Sequence, residues 1–392
     1  MGATLGVYIL LVLLVIFIII GRREWKNHLR NLKSVPVRIV VNGTRGKSSV
    51  TRLISAGLRV GGYKVMAKTT GTKPHMILNN QVEIPIIRLG KANIREQIGI
   101  FKKAVTEGVD TIVFENMSLR PDLQWIEENK LIQPTLVVIT NVRADHLDVM
   151  GPTLKDIAQN FINAVPESAK VITAEQNYYT LMKELCEKKG INITRSNEAE
   201  ISHENMNNFP YFEHRENVAL AVEVCRQLGV KKEPALEEIY RSMPDPGVLR
   251  RYDLMINGKR IALYNALAAN DPDSTYLIYE RMEKTGSHIY LIVNCRSDRI
   301  DRSLQMGELI ARKMPAELFF ATGGHTAPFI RKAISLGVQK RKIIDLGGRN
   351  VEDVYERISS MIPDDSTIFA VGNIVGYGEN LIKYFTAKGG RG

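Results

Sequence analysis

The chain has 392 residues, 44% hydrophobic and 24% charged, with a formal net charge of +11. That length suffices for two ordinary domains, each with its own core. The cationic excess suits an acidic partner such as a nucleotide, lipid or polyanion, although part of it is local. Arg22, Arg23, Lys26, Arg30 and Lys33 stand together against Glu24 alone. No stretch interleaves basic and aromatic residues as single-strand grooves do, so no nucleic-acid partner is expected. Cys186, Cys225 and Cys295 lie far apart and in no Cys-x-x-Cys or Cys/His spacing. They predict reduced, buried thiols, no zinc site and a cytosolic setting.

Residues 3–21 carry no charge, and Leu5 to Ile20 is almost unbroken Leu, Val, Ile and Phe. At about 1.5 Å per residue such a helix just crosses a hydrocarbon core of roughly 30 Å. A cleaved signal peptide would want a basic start and a small-residue cleavage site. Here the start is uncharged and the run ends in Gly21-Arg22-Arg23, so a retained single-pass anchor is expected. The cationic cluster places its C-terminal side, and the catalytic body, in the cytoplasm. Residues 1–35 are thus a membrane anchor with a basic juxtamembrane segment.

Val37 to Asn42 reads as a strand that breaks into Gly43-Thr44-Arg45-Gly46-Lys47-Ser48. An apolar strand turning through two glycines into a Lys-Ser helix start is a phosphate cradle. The glycines let backbone N–H groups face an anion, and the helix N-terminus adds its dipole. Lys47 is placed to reach the β- and γ-phosphates of ATP, and Ser48 to offer its hydroxyl to Mg²⁺. Val41 stands where the full P-loop pattern has glycine. Alone, the loop reads either as this cradle or as a glycine turn before an ordinary helix.

A helix is expected over Ser48 to Gly61, then a strand Tyr63 to Ala67 opening into Lys68-Thr69-Thr70-Gly71-Thr72. That hydroxyl-rich loop is either a ligand-binding loop at a strand tip or a turn with satisfied hydroxyls. Helix Ile94 to Glu107 leads to a strand ending at Glu115, a carboxylate that either binds metal or caps the next loop. Helix Leu123 to Glu128 and strand Thr135 to Ile139 follow. The strand ends in Thr140-Asn141-Val142-Arg143-Ala144-Asp145-His146-Leu147-Asp148. Two aspartates and a histidine packed after a strand tip suit a hard cation, with His146 an unusual addition. Helix Leu154 to Ala164, strand Lys170 to Thr173, a helix around Tyr178 to Lys188 and strand Ile191 to Thr194 continue the alternation. It predicts a doubly wound, largely parallel sheet. Residues 196–212 read as a peripheral loop or a small edge excursion, and helices are expected over Asn217 to Leu228 and Glu233 to Arg241.

Pro244-Asp245-Pro246-Gly247 punctuates the chain strongly, and the domain boundary is placed there, giving domains over 36–245 and 246–392. Beyond it, strands near 252–256 and 260–264 flank an Asn257-Gly258 hairpin turn. A second βα series follows, with strands at Ile289 to Asn294, Leu318 to Ala321, Lys342 to Asp345 and Thr367 to Val371. The expected fold class is α/β: an N-terminal transmembrane helix, a doubly wound P-loop ATP-binding domain and a smaller, Rossmann-like α/β domain.

In order, these motifs resemble the Mur ligase superfamily, ATP-dependent ligases that join a carboxylate to an amino group. Gly43 to Ser48 is similar to their phosphate loop, Glu115 stands where their Mg²⁺-binding glutamate does, and Thr140-Asn141 through Asp145-His146-Leu147-Asp148 with Gly151 matches their most specific signature. Asn217 is similar to their adenine-contacting Asn, and Asn270-Asp271-Pro272 and Asp298 to Arg302 resemble two further blocks. The anchor, Lys68 to Thr72, Asp145 to Leu154, Pro244 to Gly247, Asn294 to Arg299 and Val371 to Ile374 bring the chain closer to the ligase subunits of bacterial poly-γ-glutamate synthases.

This resemblance implies ATP and Mg²⁺ as cofactors, glutamate and a poly-γ-glutamate chain as substrates, and small integral-membrane partner subunits. It implies nucleotide contacts from Gly43, Thr44, Arg45, Gly46, Lys47, Ser48, Ser49, Asn217 and Arg250, and metal ligation by Ser48, Glu115 and His146. Catalytic roles fall to Lys47, Glu115, His146, Arg302 and Asp271. Arg302 or Arg250 is expected to reach across a closing interdomain cleft. Asp271 is a candidate for handling the amine, or else a helix N-cap before Pro272. A folylpoly-γ-glutamate synthase-like ligase and a nucleotide-binding scaffold are the competing readings. Three departures stand out. Asn160 occupies the position of a carbamylated lysine in many Mur ligases, Val248 that of the Arg after the interdomain glycine, and the usual Asp before Asn270 is missing.

Overall fold

The computed structural model describes residues 2–71, 74–88, 90, 92–145, 147–209, 211, 213–244, 250–267, 269, 272–282 and 288–391. The chain folds as two compact units, Met1–Met243 and Pro244–Gly392.

The first unit is built on eight strands: β1 (Val37–Asn42), β2 (Val65–Thr69), β3 (His75–Ile77), β4 (Glu83–Pro85), β5 (Thr111–Glu115), β6 (Leu136–Ile139), β7 (Lys170–Thr173) and β8 (Ile193–Arg195). Their order across the sheet is β4-β3-β2-β5-β1-β6-β7-β8, parallel except for β3 and β4. The sheet is buried on both faces, and successive residues of each strand serve opposite faces. Ile39 and Val41, Val113 and Val138 pack under helices Lys47–Val60, Arg215–Gln227 and Lys232–Tyr240. Val40, Ile112 and Phe114, with Val137 and Ile139, face the opposite layer. Parallel pairing sets Val41 beside Glu115 and Asn42 beside Ile139, so the carboxyl ends of β1, β5 and β6 form one crest.

The first helix runs unbroken from Gly2 to Ser34, through Gly21. It is long and apolar enough to cross a membrane, and its Leu5, Phe17 and Ile20 side chains are exposed. Its other end is part of the folded body. Leu32 and Val35 enter the core, and buried His28 donates through Nε2 to Leu131 O at 2.8 Å. The His28 ring meets Phe101 edge-on and Phe101 meets Phe114 at a tilt, at 5.5 and 5.3 Å between centroids.

The second unit has seven strands: β9 (Arg250–Ile256), β10 (Lys259–Asn265), β11 (His288–Cys295), β12 (Leu318–Gly323), β13 (Ile343–Asp345), β14 (Ser366–Gly372) and β15 (Gly390–Arg391). The order is β13-β12-β11-β14-β10-β9-β15, with β9 and β15 antiparallel at one edge. Asn257 and Gly258, at φ 51° and 77°, make the tight turn between β9 and β10. The expected α/β class with two parallel-rich sheets is borne out.

Three segments differ from the sequence reading. The sequence pattern does not reveal the β3–β4 hairpin, because three-residue strands carry no usable periodicity. The polar segment after β8 is tied to the core more firmly than its composition suggests: Ile201 and Phe209 join the core, and the Phe209 ring meets those of Tyr211 and Tyr240 edge-on. The helix expected over Leu123 to Glu128 runs Pro121–Ile126 and then widens into a π turn, Glu127–Ile132.

Phe101 joins the first helix to β5, so Phe101→Ala is expected to cost about 3–5 kcal/mol, read as a lowered urea midpoint at unchanged slope.

Candidate active site

Beyond Asn42 the chain must cross the tips of neighbouring strands, and it does so through Gly43 at φ 121° and Gly46 at φ 80°. Neither position admits a side chain. A Cβ at 43 would stand 2.2 Å from Thr140 Oγ1, and one at 46 would stand 2.9 Å from Asn217 Oδ1. Val41 is a fully buried strand residue, so the loop begins only after β1 has finished supplying the core.

The loop is tied to the tip of β6. Thr44 N donates to Asn141 O at 3.0 Å and Arg45 N to Asn141 Oδ1 at 3.1 Å. Arg45 O accepts from Asn141 Nδ2 at 3.2 Å and from Thr140 Oγ1 at 2.6 Å. Arg143 N donates to Thr44 Oγ1 at 3.0 Å, and Arg45 faces Asp145 at 3.4 Å. Lys47 opens helix Lys47–Val60 and curls back, Nζ donating to Gly43 O at 2.8 Å and Thr44 O at 3.4 Å. Burial lowers its pKa, the Glu115 and Asp145 carboxylates oppose that shift, and the Arg45 charge adds to it.

Ser48 Oγ donates to Glu115 Oε2 at 2.9 Å, and the same oxygen accepts from Thr70 N at 2.6 Å. The loop after β2 is therefore held by the carboxylate at the tip of β5. Ser48 and Glu115 are adjacent hard oxygen donors. They fit a Mg²⁺-like cation that takes one or two protein oxygens and completes its shell with phosphate and water. No group of three His, Cys, Asp or Glu side chains forms a metal site among the described residues, and His146 lies outside them. Ser49 is half-buried beside the loop. Asn217 is buried against Gly46, its Nδ2 donating to Glu213 Oε1 at 2.8 Å. Asn160 donates to Met150 O at 2.7 Å, closing the turn before helix Leu154–Ala164.

In the second unit Arg302 donates to Asn373 Oδ1 at 3.1 Å. Asn373 Nδ2 donates to Asn294 O at 3.3 Å, and Asn294 Nδ2 donates to Asn373 O. The Asn294 and Val371-to-Ile374 blocks thus interlock at the tips of β11 and β14. Arg250 opens β9, but its side chain is not among those described, and Asn270 and Asp271 lie outside the described residues, just before helix Pro272–Met282. All three cysteines are free and buried. Burial raises Cys186 and Cys295 to about 11 and Cys225 to about 12, which leaves them inert thiols.

Sequence reasoning missed a set of buried polar groups beneath this crest. Lys68 is fully buried and ion-paired with Glu96. It donates to Gln97 Oε1 at 2.9 Å, and Gln97 donates in turn to Glu127 Oε1 at 2.5 Å. Glu128 accepts from both Asn42 and Asn116. Burial raises both glutamate carboxyls, Glu128 to about 8 with a further push from the Glu127 charge. An adjacent Glu-Glu pair in sequence reads as a solvated helix end. The one available signal was an asparagine directly before Gly43.

Residues 41–231 match the Mur ligase middle domain, and residues 252–388 match the poly-gamma-glutamate synthase CapB C-terminal domain. Over 382 residues the chain is 35% identical to the capsule biosynthesis protein CapB of Bacillus anthracis, covering 96% of this chain and 82% of that one. The chain belongs to the CapB family of poly-γ-glutamate synthases. Another CapB relative, the PGA synthase of Bacillus subtilis (strain 168), is 32% identical over 381 residues, 96% of this chain and 97% of that one. A bifunctional folylpolyglutamate synthase/dihydrofolate synthase solved with Mn, AMPPNP and L-glutamate bound shares the fold, with a TM-score of 0.64 over 92% of each chain at 13% identity.

Two outcomes follow for this CapB-family chain. Gly46→Ala places a Cβ in a positive-φ step and against Asn217, so it is expected to cost about 1–3 kcal/mol and to weaken nucleotide binding in a fluorescent-nucleotide titration. Glu128 is raised from 4.5 to about 8 in the folded chain, so the folded state holds the extra proton and stability falls as pH rises through that window. Glu128→Gln removes this loss. Its stability relative to wild type should climb with pH up to about 8 and level off above, as read from urea midpoints across the range.

Proposed function

We propose that the cradle of the first unit holds ATP and a divalent cation, and that the chain uses them to join glutamate units through the γ-carboxylate. As a CapB-family member with a Mur ligase middle domain, the chain is an ATP-dependent acid–amino-acid ligase. The observation that carries the site reading is Ser48 bonded to Glu115 at 2.9 Å, next to Lys47, where a two-glycine loop enters a helix.

The chemistry is set by a poor electrophile. A carboxylate oxygen attacks the γ-phosphorus of ATP, the bond to the β-phosphate oxygen breaks, and ADP leaves an acyl phosphate. The glutamate amine then attacks the acyl carbon, inorganic phosphate departs, and the amine proton passes to base or solvent. The product is a γ-amide. Lys47 turns from the loop carbonyls to the β- and γ-phosphates, and the N–H groups of 46–48 at the helix start face phosphate oxygens. Ser48 and Glu115, with His146, would hold Mg²⁺, which supplies charge neutralisation on the transferring phosphoryl group. Asn217 serves the nucleotide. Arg302 or Arg250 serves the transferring phosphoryl group, and Asp271 the amine.

The first helix serves as a single-pass anchor in the cell membrane with the catalytic body cytoplasmic, where ATP is found, and small integral-membrane partner subunits receive the polymer. A folate-directed ligase is the lesser reading: the likeness to the folylpolyglutamate synthase structure is one of fold, while that to CapB proteins runs through 96% of the chain.

Membranes carrying this chain and its partner subunits, given ATP and labelled glutamate, should yield γ-linked product and glutamate-dependent ADP. Lys47→Ala should lower that turnover by at least about 100-fold. Polymer made at the wild-type rate by Lys47→Ala would make the chain a scaffold rather than the ligase.

A further inference from the structure

Asn42 and Asn116 each stand one residue from the proposed chemistry, before Gly43 and after Glu115, and both are 2% exposed. Their carboxamides converge on a single atom. Glu128 Oε1 accepts from Asn42 Nδ2 at 3.0 Å and from Asn116 Nδ2 at 3.1 Å. The other ends are also committed. Asn42 Oδ1 accepts from Gly43 N at 2.8 Å, the first N–H of the phosphate loop. Asn116 Oδ1 accepts from Ser118 N at 2.9 Å, and Asn116 N donates to Val41 O at 2.9 Å.

We infer that Glu128 is a positioning residue: from the π turn it ties the strand that carries the phosphate loop to the strand that carries Glu115, and so sets the spacing between nucleotide cradle and metal-binding carboxylate. The inference deepens the ligase reading and rests on it.

Three observations separate this from space-filling. Glu128 is fully buried, and its Oε2 has no hydrogen-bond partner among the described residues; a leucine would fill the volume without that penalty. Two consecutive glutamates are buried where the helix widens into a π turn, a local departure that recurs at functional sites. Both arms of the clamp end within one residue of a proposed site residue. The carboxyl is held neutral up to about pH 8, which makes glutamine its close isostere.

The test uses the full-length chain in detergent, with a fluorescent ATP analogue and Mg²⁺ as probes, and compares Glu128→Leu, Glu128→Gln and Asn116→Ala. Glu128→Leu should raise both the nucleotide Kd and the Mg²⁺ concentration for half-maximal binding by about tenfold, the scale of supporting contacts around metal ligands. Glu128→Gln should return both to within about threefold of wild type, since an amide oxygen can take both asparagine donors. Asn116→Ala cuts only the Glu115 arm and should shift the Mg²⁺ dependence more than the nucleotide Kd, which keeps the question open to measurement if Glu128→Leu does not fold. Glu128→Leu or Asn116→Ala that melts earlier yet binds nucleotide and Mg²⁺ as wild type would overturn the inference. So would Glu128→Gln as impaired as Glu128→Leu. A wild-type chain that binds nucleotide but shows no glutamate-dependent turnover would instead reject the ligase reading, and the binding comparison would still judge Glu128.

Discussion

The close approach of the backbone at Gly43 to the tip of β6 governs everything around the site. With 2.2 Å between a would-be Cβ and Thr140 Oγ1, the loop can lie on its neighbour only because residue 43 has no side chain. Once there, Thr140 and Asn141 saturate the loop's polar groups from one side. The helix that follows starts with its free N–H groups at the crest. The parallel register then brings Glu115 level with Val41, close enough for its carboxylate to accept from Ser48 and Thr70 together. A phosphate cradle and a carboxylate meet because three strand tips are level, not because their residues are near in sequence.

Below that crest the fold accepts an electrostatic cost. Lys68, Glu127 and Glu128 are taken out of water, and burial drives each toward its neutral form. Bonds among Lys68, Glu96, Gln97, Glu127, Ser118, Asn116, Glu128 and Asn42 offset much of the desolvation. Such a network contributes geometry more than stability, since apolar groups of similar shape would pack at lower cost. Its position under Gly43 and Glu115 is where fixed geometry has most effect on the proposed phosphoryl transfer, which depends on placement and charge.

The first helix joins two environments in one element. Its apolar half has exposed Leu, Val, Ile and Phe side chains. Its C-terminal half buries His28 and Leu32 against β5 and the π turn, and Val35, just beyond the helix, joins them. The same π turn that supplies Glu128 also supplies Leu131 O to His28, so the C-terminal half of the first helix and the buried network share a support. A helix continuous with the core of the first unit holds that core at a set distance from the end of the apolar run, which suits the proposed polymer synthesis at a membrane.

Much was legible in the residues because it is governed locally. Strand and helix alternation follows side-chain periodicity, the two-glycine loop follows backbone sterics at Gly43 and Gly46, and the long apolar first helix follows hydropathy. The family resemblance drew on the same local blocks, and the CapB matches uphold it. The remainder depends on contacts between residues far apart in the chain. Nothing in a Glu-Glu pair at 127–128 announces burial; only a π turn packed under Asn42 and Asn116 makes it so. Nothing near Asn373 points to Arg302, 71 residues away, until β11 and β14 pair. Residues 196–212 are polar by composition, yet Ile201 and Phe209 find the core through tertiary packing. The sequence by itself determined most of the elements and the two-glycine loop, because these rest on local sterics and hydrophobic period, and its motif blocks carried the resemblance that implies the class of reaction. Which buried polar groups support the site was decided only by the tertiary structure, because desolvation and hydrogen-bond pairing depend on what the fold brings alongside.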